Sequence, residues 1–406
     1  MAFNAVISRL SAIYNHREQT LINMDFKFTE DQEMLREAFA AFVKEEIAPN
    51  AAKWDEENHT PVDIMPQLGE LGVLGVFVPE TYGGVGLGHT ERVMALEEIA
   101  RHSAGLAMMV FTHQLGMAAI LDFGTEEQKM KYLPDMCAGT SICGLAVTEP
   151  GGGSDVAGQK TTAELKDGRW IINGRKCFIT NSHCADYPVL TCKTGEDEKG
   201  RSTFSAIIID KGTEGFMPGR EENKLGLKGS MTGELIANNA SVPQENLLGE
   251  IGQGTPIAMK EIGEVGRASM AAIATGIIRG CLEDSVKFAN DRILYGKPIA
   301  KLQAIQFHVA DIRVAYESAR LMLYKAAAVK DEGKPATIDF GMAKYYATDK
   351  ACECARKTIE LMGGYGVVNE YAAGRYMRDA LACISSGGTS EIQKIIIAGD
   401  TLKKYK

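Results

Sequence analysis

The segment CGLAVTEPGGGSD, residues 143–155, marks the point at which the sequence changes character. Before it, residues 29–136 carry apolar side chains at helical spacing. After it come short β-rich runs, and turn pairs such as Asp167-Gly168 and Asn173-Gly174 are predicted to separate them. From Pro256 onward the pattern is helical again, in segments long enough to form a bundle. The sequence therefore predicts an α+β fold in the order α, β, α.

This order predicts three domains after an N-terminal extension. The extension is residues 1–23, the helical domain 24–141, the β domain 142–252 and the C-terminal helical domain 253–406. The extension has few acidic residues, which is also typical of a mitochondrial transit segment. We favour an extension ahead of a natural start at Met24, because Thr29 and Gln32 together form a helix-capping pattern soon after it. This start predicts a cytoplasmic protein, with the mitochondrial matrix as the alternative.

Composition excludes several classes of function. The 406 residues are 45% apolar and 24% charged, as in a soluble globular protein with a sizeable core. The net charge is −9 and there is no basic tract, which argues against a nucleic-acid partner. No apolar run is expected to span a membrane. The nine cysteines are scattered without zinc-ligand spacing, so we expect free thiols in a reducing compartment and no metal site.

The glycine-rich loop within residues 143–155 is the first candidate binding element. Pro150 ends the strand that contains Thr148, and the three glycines that follow expose backbone N–H groups. Such a loop suits a phosphate or the edge of a polar heteroaromatic ring, and Thr148 and Ser154 add hydroxyl groups. It is not the G-x-G-x-x-G pattern, which disfavours nicotinamide binding. A plain β-turn would explain the glycines equally well.

Two further motifs carry polar and aromatic groups. In CFITNS, residues 177–182, Phe178 offers a ring face while Thr180 and Asn181 offer hydrogen bonds; the alternative is a phenylalanine in the core. In RILYG, residues 292–296, Arg292 can pair with a phosphate, and the alternative is a solvated arginine at a helix end.

Two glycine pairs occur near the C-terminus. LMGGYG, residues 361–366, reads as a helix ending that is either a C-cap or a binding loop. SSGGTSEIQ, residues 385–393, reads as a glycine loop before a helix, with Ser390 as the N-cap and Gln393 completing a capping box. Backbone at such glycines can approach a ligand closely.

Taken in order, these motifs resemble those of the acyl-CoA dehydrogenases, a family of FAD flavoproteins. The residues that carry the resemblance are TEPGGGSD, FITN, RILYG with LQ, MGGYG, MRDA and GTSEIQ, and it extends over residues 24–406. It implies a helical N-domain, a β-barrel-like middle domain and a C-terminal four-helix bundle, usually in a homotetramer. It also implies an acyl-CoA thioester substrate and an electron-transfer flavoprotein as electron acceptor.

The resemblance also implies which residues bind the cofactor and the substrate. Some of the cofactor residues, around Arg292, would contact the FAD of a neighbouring subunit. Glu360 stands where the family commonly has Gln and is left out. The implied FAD-binding residues are Leu145, Val147, Thr148, Gly153, Ser154, Phe178, Thr180, Arg292, Tyr295, Gln303, Gly363, Gly364, Thr389 and Glu391. The implied substrate-binding residues are Ala107, Met108, Phe111, Thr112, Leu115, Ser154, Glu264, Arg267, Gly387 and Gly388.

The catalytic base is the main departure from the family. The family removes a proton from Cα with a glutamate, and a hydride leaves Cβ for the flavin. That glutamate usually directly precedes GTSE, where this chain has Gly387. In a minority of members it precedes the arginine that corresponds to Arg267, where this chain has Gly266. His113, the nearest titratable residue, falls off the presumed pocket face and is expected to be structural. The catalytic residue is therefore unknown from the sequence.

Three explanations of the missing base stay open. The proton can be removed elsewhere on the substrate, as in relatives that act on cyclohexene-carboxyl-CoA thioesters. A C–S or C–COO⁻ bond can break instead, as in desulfinase-like relatives. The chain can also work as an enoyl-CoA reductase, or bind flavin and thioester without catalysis. The apolar, bulky pocket residues on the helix near Phe111 favour a hydrocarbon or ring substrate, so the leading hypothesis is a dehydrogenase with a non-standard active site.

Overall fold

A computed structural model describes residues 27–406, and the predicted extension at 1–23 lies outside the described residues. The chain divides into two compact units, residues 1–35 and 36–406. Within the described part of the first unit, the predicted cap at Thr29 is confirmed. The backbone N–H of Gln32 donates to Thr29 Oγ1 (3.2 Å), and the backbone N–H of Thr29 donates to Gln32 Oε1 (3.0 Å).

Helices make up the described chain before the sheet. Helix α5 is the longest of them, and its N-cap is Ser103, whose side chain accepts a hydrogen bond from the backbone N–H of Leu106. The helices are α1 (Glu30–Phe42), α2 (Ala51–Glu56), α3 (Met65–Glu70), α4 (His89–Ala100), α5 (Ala104–Phe123) and α6 (Glu126–Cys137).

Helix α5 corrects one expectation from composition. It is long and apolar enough to cross a membrane, with a mean hydropathy of 1.5 over its most apolar window. However, 89% of that window is buried inside the protein, as in the core helix of a globular domain.

The middle of the chain forms one eight-stranded sheet. Its strand order is β6-β7-β3-β2-β4-β5-β8, and β1 pairs in parallel with β4. Alternate side chains of these strands, among them Trp170 and Ile207, form the core of the sheet. The strands are β1 (Cys143–Ala146), β2 (Thr162–Lys166), β3 (Arg169–Thr180), β4 (Tyr187–Glu196), β5 (Ser202–Ile208), β6 (Phe216–Glu221), β7 (Thr232–Pro243) and β8 (Leu247–Leu248).

Only one of the two predicted turns separates strands. Asp167-Gly168 joins β2 to β3 with both residues at positive φ, as a two-residue hairpin requires. Asn173-Gly174 instead lies inside β3, so the turn prediction there is wrong. The pairing of β3 with β7 shifts register at this point. A Cβ on Gly174 would lie 2.6 Å from the Cα of Thr161, so the glycine is needed for close packing.

The remaining chain is a helical bundle. Helix α11 was not predicted from the sequence, and a π-helical turn, Ile262–Gly266, joins α7 to α8. A hairpin of β9 (Ile293–Leu294) and β10 (Lys297–Pro298) follows α8. The helices are α7 (Gly254–Glu261), α8 (Arg267–Asp291), α9 (Gln303–Asp331), α10 (Thr337–Met362), α11 (Ala373–Ser385) and α12 (Ser390–Lys404).

The cap of α12 differs from the prediction. Thr389, not Ser390, is the N-cap, and its side chain accepts a hydrogen bond from the backbone N–H of Ile392. Gln393 does not complete a capping box. Its side-chain amide donates instead to the carbonyl oxygen of Gly388 at 3.2 Å, which secures the loop before the helix.

A buried ion pair fixes the glycine-rich loop to the sheet. Lys176 on β3 is fully buried, and its ammonium lies 2.8 Å from Glu149 Oε1 and 3.1 Å from the carbonyl oxygen of Val147. Glu149 also accepts hydrogen bonds from the backbone N–H groups of Lys160 (2.6 Å) and Thr161 (3.0 Å). Burial by itself would raise the pKa of Glu149, but its bonds to Lys176 and these N–H groups outweigh burial and lower it.

We expect Lys176→Met to destabilise the protein, because it leaves the Glu149 carboxylate buried without its counter-charge. Breaking a buried pair in this way costs about 3–5 kcal/mol. The free energy of unfolding, measured by urea denaturation at neutral pH, should fall by about that amount.

The effect of this substitution should also depend on pH. Since the pKa of Glu149 is lowered in the fold, the stabilisation that its ionised carboxylate contributes is lost in acid. The difference from the unsubstituted protein should therefore narrow as the pH falls below about 4.3, the pKa of an unfolded glutamate.

Lys166→Met is the matched control. Lys166 lies on β2 and pairs with Glu164 at 2.7 Å, with both side chains more than half exposed. Exposed pairs contribute about 0–1 kcal/mol, so this variant should unfold almost as the unsubstituted protein does. Equal effects of the two substitutions would contradict the role given to the buried pair.

Candidate functional site

Strand β3 turns an aromatic ring outward next to the glycine-rich loop. Its pairing with β7 shifts register between Lys176 and Ile179, and Phe178 lies at this bulge with φ of +57°. The side chain of Phe178 is 65% exposed, which excludes the alternative of a core phenylalanine. An aromatic residue in this strained conformation, with its ring in solvent, is typical of a ligand-binding position.

The glycine-rich loop lies beside this ring. The backbone N–H of Cys177 donates to the carbonyl oxygen of Thr148 at 3.0 Å, so the start of the loop is bonded to the bulge. Leu145 and Val147 precede it and are buried. Gly151 has no atom within 4 Å of a built Cβ, so the loop faces open space at this residue, whereas the N–H of Gly152 donates to the carbonyl oxygen of Glu149 at 3.0 Å. Gly153 and Ser154 complete the exposed part of the loop.

Asn181 is not available to a ligand. It is fully buried, and its side-chain amide donates to the carbonyl oxygens of Met109 on α5 (3.1 Å) and Cys143 on β1 (3.2 Å). It therefore joins helix α5 to the sheet, a structural role that the sequence did not reveal. Thr180, the preceding residue, is 6% exposed.

One face of helix α5 keeps a small exposed area. Met108 is half-buried, and Phe111, Thr112 and Leu115 are 4%, 5% and 7% exposed. This helical spacing matches the predicted acyl pocket, except that Ala107 is fully buried.

This face of α5 lies next to the two motifs of the sheet, residues 143–155 and 177–182, at Gly144 on β1. A Cβ built on Gly144 would lie 3.8 Å from Thr112 Cγ2 and 3.3 Å from the carbonyl oxygen of Thr180. The candidate acyl face and the candidate cofactor motifs therefore meet.

His113 is a structural residue, as expected. It is fully buried; its Nδ1 accepts from the backbone N–H of Cys143 (3.0 Å), and its Nε2 lies 2.9 Å from the carbonyl oxygen of Met136. Burial lowers the pKa of His113 to about 4, so the ring is neutral at neutral pH. Both ring nitrogens are hydrogen-bonded to backbone groups, so neither is available for proton transfer.

The two usual base positions lie close together. A Cβ built on Gly387 would lie 3.6 Å from the carbonyl oxygen of Gly266 and 3.0 Å from Cγ of Met270. Gly387 has φ of +65° and Gly388 of +92°, conformations that favour glycine. The sequence alone could not show that these two positions, more than a hundred residues apart, lie next to each other.

The π-helical turn before Arg267 contains Glu264. The turn covers Ile262–Gly266, and π-helical turns occur frequently at functional sites. Glu264 does not point freely into solvent, because its carboxylate pairs with Lys330 at 2.5 Å. Arg267 is 8% exposed, and burial lowers the pKa of its guanidinium.

The other predicted cofactor residues form an exposed cluster around the hairpin after α8. The guanidinium of Arg292 lies 5.2 Å from the ring centroid of Tyr365, and Tyr295 is 89% exposed. Built Cβ atoms on Gly363 and Gly364 meet no atom within 4 Å, so these glycines face open space. Gly363 is the C-cap of α10, and its N–H donates to the helix carbonyl oxygens of Ile359 and Glu360. Gln303 is the exposed first residue of α9.

The negative charge of Glu360 is compensated by a residue of its own helix. Glu360 forms an ion pair with Arg356, four residues earlier, which offsets its charge near the open glycines. At the start of α12, Thr389 is committed to capping the helix, whereas the Glu391 side chain is exposed.

Comparisons with known proteins agree with this arrangement. The models of the acyl-CoA dehydrogenase N-terminal, middle and C-terminal domains match residues 29–140, 144–240 and 252–402. An acyl-CoA dehydrogenase of Bacillus subtilis is 41% identical over 371 residues, which are 91% of this chain and 97% of that protein.

Two solved structures are similar over nearly the whole chain. Butyryl-CoA dehydrogenase from Megasphaera elsdenii has a TM-score of 0.90 and 36% identity, covering 93% of this chain and 100% of that one. An acyl-CoA dehydrogenase from Bacillus anthracis, solved in complex with FAD, has a TM-score of 0.87 and 32% identity, covering 93% of this chain and 67% of that one. With all three domain models matched in order, the chain belongs to the acyl-CoA dehydrogenase family.

Proposed function

We propose that this chain dehydrogenates an acyl-CoA thioester with a compact apolar acyl group, without a glutamate at either usual base position. As a family member it is an oxidoreductase with FAD as its cofactor. The observation that carries the proposal is the close approach of Gly387 to Gly266, which brings the two usual base positions together with no carboxylate on either. An alicyclic acyl group of the cyclohexene-carboxyl type is our first candidate, because it has no ordinary α-proton that these positions would need to remove.

The residues present fit FAD. The outward ring of Phe178 and the open glycine loop after Thr148 suit a flat, polar ring system. Arg292 suits a pyrophosphate, and the absence of side chains at Gly363 and Gly364 leaves open space for it. Bound FAD would accept a hydride from the substrate.

The chain's own residues would bind and orient the acyl group. Phe111 and Leu115 place bulky apolar side chains on this face of α5, and each keeps only a few per cent of its surface exposed, which favours a short chain or a single ring over a long chain. The relative from Megasphaera elsdenii is named for butyryl-CoA, a short-chain thioester. Removing water around the reacting carbons strengthens the hydrogen bonds that acidify Cα.

A lyase that breaks a C–S or C–COO⁻ bond is the second candidate function. It is favoured by two buried cations near Gly387, Lys344 and Arg267, which suit a substrate with a negative charge on the acyl group. Such a lyase would turn over without an electron acceptor.

The reduced cofactor of a dehydrogenase must be reoxidised. We propose an electron-transfer flavoprotein as the acceptor, as in the family, and a homotetramer as the working assembly. Relatives include both bacterial and mitochondrial proteins, and we place this chain in the cytoplasm.

We expect the purified protein to contain FAD and to lose its yellow colour with the right thioester under anaerobic conditions. The measurement is flavin absorbance with linear, branched and alicyclic acyl-CoAs, with and without an artificial electron acceptor. Bleaching by an alicyclic thioester but not by butyryl-CoA would support the first candidate. Turnover without an acceptor would support the lyase, and no response to any thioester would contradict both.

Gly387→Glu should restore a base at its usual position. We expect flavin reduction by butyryl-CoA to become about 10²- to 10⁴-fold faster, the usual contribution of a general base. The substitution is strained by the positive φ of Gly387, but Cγ of Met270, the nearest atom, belongs to a flexible side chain.

Gly387→Gln is the matched control, because it has the same size and backbone strain but no base. The two variants should lose thermal stability equally, and only the glutamate should gain activity. Equal rates for the two variants with butyryl-CoA would show that a missing base does not limit this reaction.

A further inference from the structure

Lys344 on α10 is a buried cation beside the loop that contains Gly387. It is fully buried, and its ammonium donates to the carbonyl oxygens of Ile384 (2.7 Å) and Gly388 (2.8 Å). Among the described residues no carboxylate pairs with it within 4.0 Å. Its two bonded carbonyls flank Gly387 in the chain, so the positive charge lies at the loop itself.

Arg267 adds a second positive charge. It directly follows Gly266, is 8% exposed, and has no carboxylate within 4.0 Å among the residues described. Its Nη1 lies 3.5 Å from the carbonyl oxygen of Thr337, and its Nε has no hydrogen-bond partner. Burial and, secondarily, the charge of Arg267 lower the pKa of Lys344 to about 8, so the two cations are close enough to repel each other.

The start of α12 adds further positive charge beside the loop. This helix of 15 residues begins at Ser390, directly after the loop, and the N-terminus of a helix carries a partial positive charge. Three acids lie within five residues of the two glycines in the chain. Glu391 is exposed in the first turn of α12, and Glu264 is already paired with Lys330. Burial raises the pKa of Glu261 to about 8, so its carboxyl group is mostly neutral at neutral pH. The charge around Gly387 is therefore left without a full counter-charge.

Building on the proposed function, we propose that the space beside Gly387 and Gly266 is a binding site for a carboxylate that the chain does not itself supply. Lys344, Arg267 and the start of α12 attract the anion. Neither glycine has a side chain that would exclude it, and the flexible side chain of Met270, whose Cγ lies 3.0 Å from a Cβ built on Gly387, has to move aside for it. The carboxylate belongs either to a small acid from solution or to the acyl group of the substrate. In both cases it stands where most of the family has a glutamate side chain.

A small acid bound there can complete an ordinary dehydrogenation. Its carboxylate takes the proton from Cα, and the electrons of that C–H bond form the Cα=Cβ double bond. Bound FAD would accept the hydride from Cβ with both electrons of that C–H bond, and an added acceptor would take up those two electrons. The acid leaves after it returns the proton to water, so it is not consumed.

The first test measures binding without catalysis. We expect sodium formate to raise the melting temperature of the FAD-loaded protein in a saturable way, beyond sodium chloride at equal ionic strength. Gly387→Glu should abolish this rise, because its own carboxylate fills the site, whereas Gly387→Gln should abolish it only in part. A rise equal to that with chloride would overturn the proposal.

The second test measures rescue of the reaction. Formate or acetate should accelerate anaerobic flavin reduction by butyryl-CoA at least about tenfold, with saturation. If a substrate carboxylate is the natural occupant, a dicarboxylic thioester such as succinyl-CoA will bind or react without added acid, and formate will compete with it. If a small acid is the occupant, succinyl-CoA will show no such advantage.

The two proposals fail differently. If Gly387→Glu gains activity while formate neither stabilises nor rescues the unsubstituted protein, the carboxylate site is wrong and the proposed function stands. If formate stabilises the protein but no thioester reduces the flavin of any variant, the site stands and the proposed function is wrong.

Discussion

The buried pair of Lys176 and Glu149 is the interaction on which the candidate cofactor site depends. It bonds the chain after β1 to β3 at the point where β3 bulges and turns Phe178 outward. A buried ion pair requires every remaining polar atom to be satisfied, and here backbone N–H groups of Lys160 and Thr161 do so. The glycines that follow Glu149 can therefore stay open to a ligand while the loop keeps one conformation.

Much of the fold follows from local sequence signals. Helical periodicity, the Thr29 cap and the Asp167-Gly168 hairpin each act within a few residues, and the structure has each of them. A local signal also led to a wrong prediction. Asn173-Gly174 has turn chemistry but lies within a strand, because Gly174 is needed where Thr161 packs against it.

Only part of the candidate site could be predicted from the sequence. The flavin motifs and the missing base could be read because each is contiguous in sequence. The burial of Lys176 and Lys344, and the meeting of Gly387 with Gly266, depend on contacts between distant segments. The glycines at the two usual base positions are visible in the sequence, but the burial of the cations Lys344 and Arg267 is visible only in the fold.

The central claim is that no carboxylate of this chain stands ready to remove the substrate proton. A crystal structure of the FAD-loaded protein with a non-reactive acyl-CoA analogue tests it most directly. We expect Gly387 beside the reacting carbons, with no carboxylate of the chain within about 3.5 Å of them, the reach of a general base. A side chain such as Glu264 or Glu261 moved to within that distance would contradict the claim.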